Sequence, residues 1–405
     1  MNGSVKRREI AIFSQFYEPE PCAASNRVGS LARSLAKCGH RVTVLTGMPS
    51  FPLGTFDAAY AGLRRCVGRD GEVRIVRRRA RLAKGRLGGR FVYWISLALA
   101  LSWTAMVEMQ NVDTVVVSSP PITMAIPALL AAWRHRAKLI VDVRDVFPDM
   151  GLRLGVWREH GALVRALGAF VSLLYRRAAM IVAVTPTARA SILARGVPES
   201  KVALAPNGYE FSDGVPPRSR AARNVAFEVV YAGNMGLATG LDLVLDAAKL
   251  LIDDPSIRIL LAGGGIDAER LVTRIADEGL TNVSFLGVLS RRESLELLAR
   301  ADATLIPLHH SLVDALPSKM FDALAVGCPM VVSARGEAQR LLAATQSGVQ
   351  VEPNDPRALA DGILACRREA EALERRSEFG RAFVREHFDR ERIMSSLALQ
   401  IGGLA

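Results

Sequence analysis

Short β-branched runs alternate with amphipathic stretches along almost the whole chain. In the first half the runs are "EIAIFSQF" (9–16), "RVTVLTG" (41–47), "VRIVRR" (73–78), "TVVVSSP" (114–120), "KLIVDVRD" (138–145), "MIVAVTP" (180–186) and "KVALAPNG" (201–208). Helical patterns separate them, such as "RVGSLARSLAKCG" (27–39), which closes on a glycine just past a basic last turn. The strands are near-continuous apolar runs, a pattern that predicts parallel sheet covered by helices on both faces. A loop rich in Pro, Ser and Arg, "EFSDGVPPRSRAARN" (210–224), interrupts the rhythm. It then restarts with "FEVVYAG" (227–233), "IRILLAG" (257–263), "NVSFLG" (282–287), "ATLIP" (303–307), "PMVVS" (329–333) and "GVQVEP" (348–353). The predicted fold class is α/β, with two doubly wound parallel-sheet domains facing across a cleft. Residues 1–209 form the first, 210–224 the linker and 225–385 the second, and 386–405 form a helix expected to return to the first. Ligands of such sheets bind outside the carboxyl ends of the strands.

Charge adds a partner to this picture. The net charge is +12, but residues 1–210 hold 30 Lys+Arg against 14 Asp+Glu, while residues 211–405 hold 22 against 26. A basic first half points to an anionic partner. Eight of its cations lie between Arg74 and Arg90 with no acid among them, and 17 uncharged residues follow, Phe91 to Val107. That apolar stretch is marginal for a bilayer span, which needs about 20 residues. Phe91, Tyr93 and Trp94 cluster at its basic end as at a bilayer interface. With Arg77, Arg78 and Arg79 they define a membrane-touching helix beside a polybasic patch; the competing account is a helix buried on the sheet. Nucleic acid is not expected, because the run 74–90 lacks interleaved aromatics. The five cysteines are odd in number, scattered and never spaced as CxxC, which argues for a reducing compartment. The N-terminus reads as a first strand and not as a signal peptide, so the expected location is the cytoplasm.

The most informative stretch is "VDALPSKMFDALAVGCPMVV" (313–332). A helix is expected to begin near Pro317 or Ser318, since proline suits a first helical turn. Free N–H groups and the positive dipole end make such a turn a phosphate site, to which Ser318 adds a hydroxyl and Lys319 a cation. Asp322, one turn on, is suited to a pair of ribose hydroxyls, and Asp314 to the hydroxyls of a sugar. On spacing alone a plainer account competes: Asp314 caps the helix, and Lys319 and Asp322 form an i,i+3 pair.

"LPSK-x-F-D-ALAVG-x-P-x-V" resembles the hallmark segment of retaining glycosyltransferases of family 4, which have the GT-B fold. Asp314 and Asp322 stand where that family carries two glutamates separated by seven residues. "GHRVTVLTG" with "FYEPE", "VVSSPP" with "DVRDVFPD", "APNGYEF", "YAGNMGLATGLDLVLDAAKLL", "ILLAGGG", "VSFLG" and "ADATLIPL" resemble other segments of the family in order, over nearly the whole chain. The resemblance implies a donor site of Gly233, Asn234, Gly236, Gly287, Asp314, Leu316, Pro317, Ser318, Lys319 and Asp322. It implies an acceptor or phosphate loop containing Ala24 and Arg27, and catalytic roles for Asp145, Arg144 and Asp314. The implied donor is a nucleotide sugar, with UDP favoured, and the implied acceptor is a lipid-linked glycan at an anionic membrane surface.

Three departures from the family pattern stand out. Leu237 and Thr239 replace an Arg and a Lys that neutralise the diphosphate in many members. Arg144 replaces a His before the acid matched to Asp145. Both glutamates are aspartates, each one methylene shorter. No cofactor and no essential metal are expected: there is no convincing DxD, and the adjacent His309 and His310 cannot share one helical face. Two rival enzymes remain at this level. Gly263, Gly265 and Ala268 fit the dinucleotide fingerprint of an oxidoreductase, although no acid ends the next strand. A nucleotide-sugar epimerase of the same fold is the nearer rival.

Overall fold

The computed structural model describes residues 7–51, 54–82, 88–153, 155, 157, 161–211, 214–218, 226–236 and 238–404, the side chains of Arg90 and Met150 apart. The expectations placed on Lys84, Arg86, Leu237 and part of the 210–224 linker lie outside the described residues. The chain forms two compact units, one of Met1–Asn207 with Arg390–Ala405 and one of Gly208–Asp389.

The first unit is built on strands β1 (Glu9–Phe13), β2 (Arg41–Gly47), β3 (Arg65–Asp70), β4 (Val73–Arg78), β5 (Thr114–Ser119), β6 (Lys138–Val143), β7 (Met180–Ala183) and β8 (Val202–Leu204). They lie in the order β3-β4-β2-β1-β5-β6-β7-β8. All pairings are parallel except β3 with β4, an antiparallel hairpin that turns at Gly71, where φ is 53°. Helices α1 (Ala23–Lys37), α2 (Gly88–Val107), α3 (Ala125–His135), α4 (Asp149–Arg153), α5 (Ala162–Arg177) and α6 (Pro186–Leu193) connect the strands. Two apolar cores result, one per face of the sheet. Leu97, Leu101, Ala128, Val171 and Ile192 bring α2, α3, α5 and α6 onto one face. Val28, Leu31 and Leu35 of α1 cover the other, together with Met394, Leu397 and Ile401 of the chain's terminal helix, Arg390–Gly403.

In the second unit the strands are β9 (Phe227–Ala232), β10 (Ile257–Ala262), β11 (Val283–Gly287), β12 (Ala303–Pro307), β13 (Met330–Ser333) and β14 (Gly348–Val351). Their order is β11-β10-β9-β12-β13-β14, and every pairing is parallel. The intervening helices are α7 (Leu241–Leu250), α8 (Ala268–Asp277), α9 (Arg291–Arg300), α10 (Ser318–Val326), α11 (Glu337–Thr345), α12 (Pro356–Arg368) and α13 (Ala370–His387). The strand order reverses between β9 and β12, so a crevice opens beyond their carboxyl ends. The loops that leave there are Gly233–Gly236 and the segment leading into α10. Among the described residues no helix is long and apolar enough to cross a membrane.

Candidate functional site

The loop after β9 lies against the loop after β10 through main-chain contacts. Gly233 N donates to Ala262 O at 3.0 Å, Met235 N to Gly264 O at 2.8 Å, and Gly263 N to Gly287 O at 2.7 Å. Gly263 and Gly265 have φ of 137° and 149°, and a Cβ on them would lie 1.9 Å from Gly233 O and 2.3 Å from Met235 O. Only glycine permits this approach. The glycines of the dinucleotide-like fingerprint are thus accounted for by backbone packing between two loops. Gly236 is tied by its N–H to Thr239 Oγ1 at 3.2 Å, and Asn234 is exposed.

The α10 N-terminus enters this crevice without a side-chain cap, because Pro317 occupies the N-cap position with φ −70° and ψ 139°. Its first-turn N–H groups therefore keep the positive end of the helix dipole available to an anion. Met320, Phe321 and Leu324 anchor the helix in the core, while Ser318 and Lys319 are half-buried at its start. The Lys319 ammonium is buried and makes no hydrogen bond among the described residues. It sits 3.9 Å from the centroid of the Tyr231 ring, whose hydroxyl donates to Asn234 O. A Cβ on Gly233 would come within 3.3 Å of it, so glycine there leaves the cation room. Burial pushes the Lys319 pKa down to about 7, and the nearby Asp322 carboxylate works against that shift. A buried cation that has an aromatic face and a more distant carboxylate but no hydrogen bond is costly to keep charged.

Asp322 does not pair with Lys319. Its Oδ1 lies 3.3 Å from Arg291 Nη1, and the Arg291 guanidinium stands 5.3 Å from the Tyr209 ring centroid. The pair is partly exposed and contributes roughly 1 kcal/mol or less to stability; its role is to hold the carboxylate in place. Asp314 is half-buried in the loop between β12 and α10. Glu337 N donates to the neighbouring Val313 O at 2.9 Å, and a Cβ on Gly336 would lie 1.9 Å from that oxygen, which seats the loop on the start of α11. Leu316 and Pro317 are half-buried in the same loop, and Gly287 ends β11 with φ 71°.

In the first unit, Arg144 and Asp145 follow β6 and are half-buried. Arg144 Nε donates to Ser118 Oγ at 3.2 Å and its main-chain N–H to Ser119 O at 2.9 Å. Arg27 is only 1% exposed. Its Nη2 lies 2.7 Å from Asp142 Oδ1, and its Nη1 donates to Ala205 O at 2.8 Å and Pro206 O at 3.2 Å.

Comparison with known proteins gives this geometry a family. A model described as a glycosyl transferase 4-like domain matches residues 23–208, and one described as glycosyl transferases group 1 matches residues 218–383. The chain belongs to the family-4, group 1 glycosyltransferases. Its fold is GT-B. It is similar to a putative colanic acid biosynthesis glycosyl transferase of Escherichia coli K12, WcaI, with 25% identity over 98% of this chain and 100% of the relative. Among solved structures it resembles sucrose-phosphate synthase from Thermosynechococcus elongatus, with a TM-score of 0.74 and 18% identity over 98% of both chains. It also resembles Anabaena HepE in complex with UDP-glucose, with a TM-score of 0.70 and 15% identity over 98% of this chain and 99% of the other.

Several expected site residues take different places in the glycosyltransferase. Arg27 is no free cation for a phosphate, because its guanidinium is engaged by Asp142 and the carbonyls before residue 207. Ala24 is a buried residue of the first turn of α1. Of the membrane-facing set, Arg77 and Tyr93 are interior residues, 4% and 6% exposed. Arg77 donates to Gly47 O and Glu18 O, which ties β4 to the end of β2 and to the loop after β1. Arg78 pairs with Glu108 and donates to Thr104 Oγ1. Arg79 is exposed with its guanidinium 4.7 Å from the Phe56 ring centroid. Phe91 is exposed, and its ring meets that of half-buried Trp94 edge-on at 5.5 Å. The helix after the basic run is buried along one side and exposed along the other.

Arg291 escaped the sequence reading. A signal for it exists: it is the first residue of α9, the end where a helix dipole disfavours a cation. Among the described residues no group of three His, Cys, Asp or Glu side chains is placed to hold a metal ion. His309 and His310 stack at 4.4 Å, and His309 Nδ1 meets Ser311 Oγ at 2.7 Å.

Proposed function

We propose that this glycosyltransferase moves a sugar, with retention of anomeric configuration, from a UDP-linked donor to a polyprenyl-diphosphate-linked glycan. The work belongs to cell-surface polysaccharide synthesis at the inner face of the cytoplasmic membrane. The carrying observation is the buried Lys319 ammonium, which has no hydrogen-bond partner among the described residues and lies at the uncapped N-terminus of α10 beside the Gly233 loop. The named roles of the E. coli relative in colanic acid biosynthesis and of HepE as a UDP-glucose complex support the pathway and the carrier.

The chemistry follows from the leaving group. Breaking the bond between sugar and nucleoside diphosphate loads negative charge onto the β-phosphate. Preorganised N–H donors and a cation aimed at that charge lower the barrier without reorganisation. Lys319 and the first-turn amides of α10 fill this role, and Gly233 and Gly236 let the main chain approach the phosphates. Asp322, steadied by Arg291, receives the ribose hydroxyls. Asp314 receives hydroxyls of the transferred sugar, while Arg144 and Asp145 orient the acceptor. Transfer runs on the front face, the departing phosphate helping to deprotonate the acceptor hydroxyl. The protein supplies the positive charge at the phosphates itself, so no metal or other cofactor takes part.

Calorimetric titration over a panel of nucleotide sugars tests the reading. UDP-sugars should bind in the presence of a chelator, and Asp322→Ala should weaken them about tenfold, as expected for losing hydrogen bonds to a charged acceptor. Undiminished affinity in Asp322→Ala removes the ribose assignment. Activity restored only by Mg²⁺ removes the metal-free mechanism.

A further inference from the structure

From Phe91 on, helix α2 carries no charged residue, but the core covers only one side of it. A helix turns 100° per residue, so Phe91, Val92, Ile95, Leu99, Trp103 and Val107 fall within an arc of roughly 160°. All six are exposed, Leu99 at 66% and Trp103 at 63%. Tyr93, Leu97, Leu101 and Ala105 occupy the opposite arc and are buried in the core. An unpaired apolar arc of this length marks an interaction surface.

The surroundings of the arc identify its partner. Helices α2, α3 and α5 lie on the same face of the first sheet, and none of the three contains an Asp or a Glu. Trp133, 71% exposed, closes α3 next to Arg134, whose Nε donates to Met106 O at the end of α2. Arg134 and Arg136 are exposed beside it, and α5 ends in exposed Arg176 and Arg177. The first acid beyond α2, Glu108, is already paired with Arg65 and Arg78. Apolar and tryptophan side chains fringed by arginine, with no carboxylate, complement an anionic lipid surface. The same composition argues against a second copy of the chain, because a two-fold contact would set arginines against arginines.

We propose that the outer face of α2, α3 and α5 is the surface on which the enzyme lies on an anionic bilayer, with Leu99 and Trp103 at its centre. This rests on the lipid-linked-acceptor reading and deepens it: of the expected membrane set Phe91 stays in the contact, interior Arg77 and Tyr93 leave it, and the exposed arginines of α3 and α5 supply the cations.

Flotation with vesicles of phosphatidylcholine alone, or with one-third phosphatidylglycerol, tests it. The wild-type chain should float with the anionic vesicles and be released by high salt. Leu99→Ser/Trp103→Ser should lower partitioning about tenfold or more, and Arg134→Gln/Arg136→Gln should lower it selectively for the anionic vesicles. Both variants should keep the wild-type melting temperature and UDP-sugar affinity, since they alter exposed positions away from the donor site. A wild-type chain that ignores both vesicle types overturns the proposal. So does undiminished flotation of Leu99→Ser/Trp103→Ser, or light scattering that shows a dimer lost in that variant with lipid ignored throughout. Flotation that depends on α2, in a chain that binds no nucleotide sugar, would uphold this surface and overturn the donor assignment instead.

Discussion

Replacing Lys319 with methionine should make the chain more stable and a poorer binder of its donor. The ammonium is buried with no hydrogen bond among the described residues, so an apolar side chain of similar length removes a desolvation penalty. The melting temperature should rise while UDP affinity falls about tenfold to a hundredfold, the range for a charge-assisted contact. A variant that loses stability and keeps its affinity would contradict the assignment. The pH dependence has a definite sign. With the free-state pKa near 7, a bound diphosphate raises it by stabilising the charged form. Between the two values binding takes up a proton, so affinity declines as pH rises above neutrality. Calorimetry at about pH 8 in buffers of unlike ionisation enthalpy should show that uptake; a buffer-independent heat would count against it. The proposal of Lys319 and Asp322 as site residues came from motif resemblance, since spacing alone equally suited a cap and an i,i+3 pair. That Asp322 answers to Arg291 and not to Lys319 was not legible, because 31 residues separate the partners.

At the scale of elements, the loops after β9 and β10 depend on glycines that no other residue can replace. Gly263→Ala sets a methyl against Gly233 O in a backbone conformation that L-residues avoid, and should lower stability by about 2 kcal/mol or more. Denaturant unfolding measures this directly; an unchanged midpoint would mean the two loops do not pack as described. The glycine pattern had suggested a cofactor fingerprint because spacing records where side chains are absent without recording what fills the space. The antiparallel β3 was passed over although Asp70–Gly71 is a strong hairpin signal, since its exposed, charged residues lack the apolar run that marked the other strands. Helix α2 shows the converse limit. Its uncharged sequence from Phe91 on identifies a helix that needs cover, yet only the packed sheet reveals which arc receives it.

Across the whole molecule, the charge excess of the first half divides into two populations that composition treats alike. Arg27 and Arg77 are interior ties, whereas Arg134, Arg136, Arg176 and Arg177 are exposed. Arg27→Leu would strand Asp142 as a buried, unpaired carboxylate and should destabilise the first unit by about 3–5 kcal/mol. Thermal melting should register that loss while the second unit still binds nucleotide at low temperature; an unaltered melt would refute the buried tie.

The sequence by itself determined two α/β units, the order of their parallel strands and helices, and the break between them. Those properties follow from local periodicity, turn chemistry and motif order, which are written along the chain. Tertiary structure alone decided which arginines are free, which partner orients Asp322, why the glycines are needed and which arc of α2 is bare. Each of those depends on residues far apart in sequence meeting in a close-packed interior, where burial turns the same side chain into either a tie or a binding group.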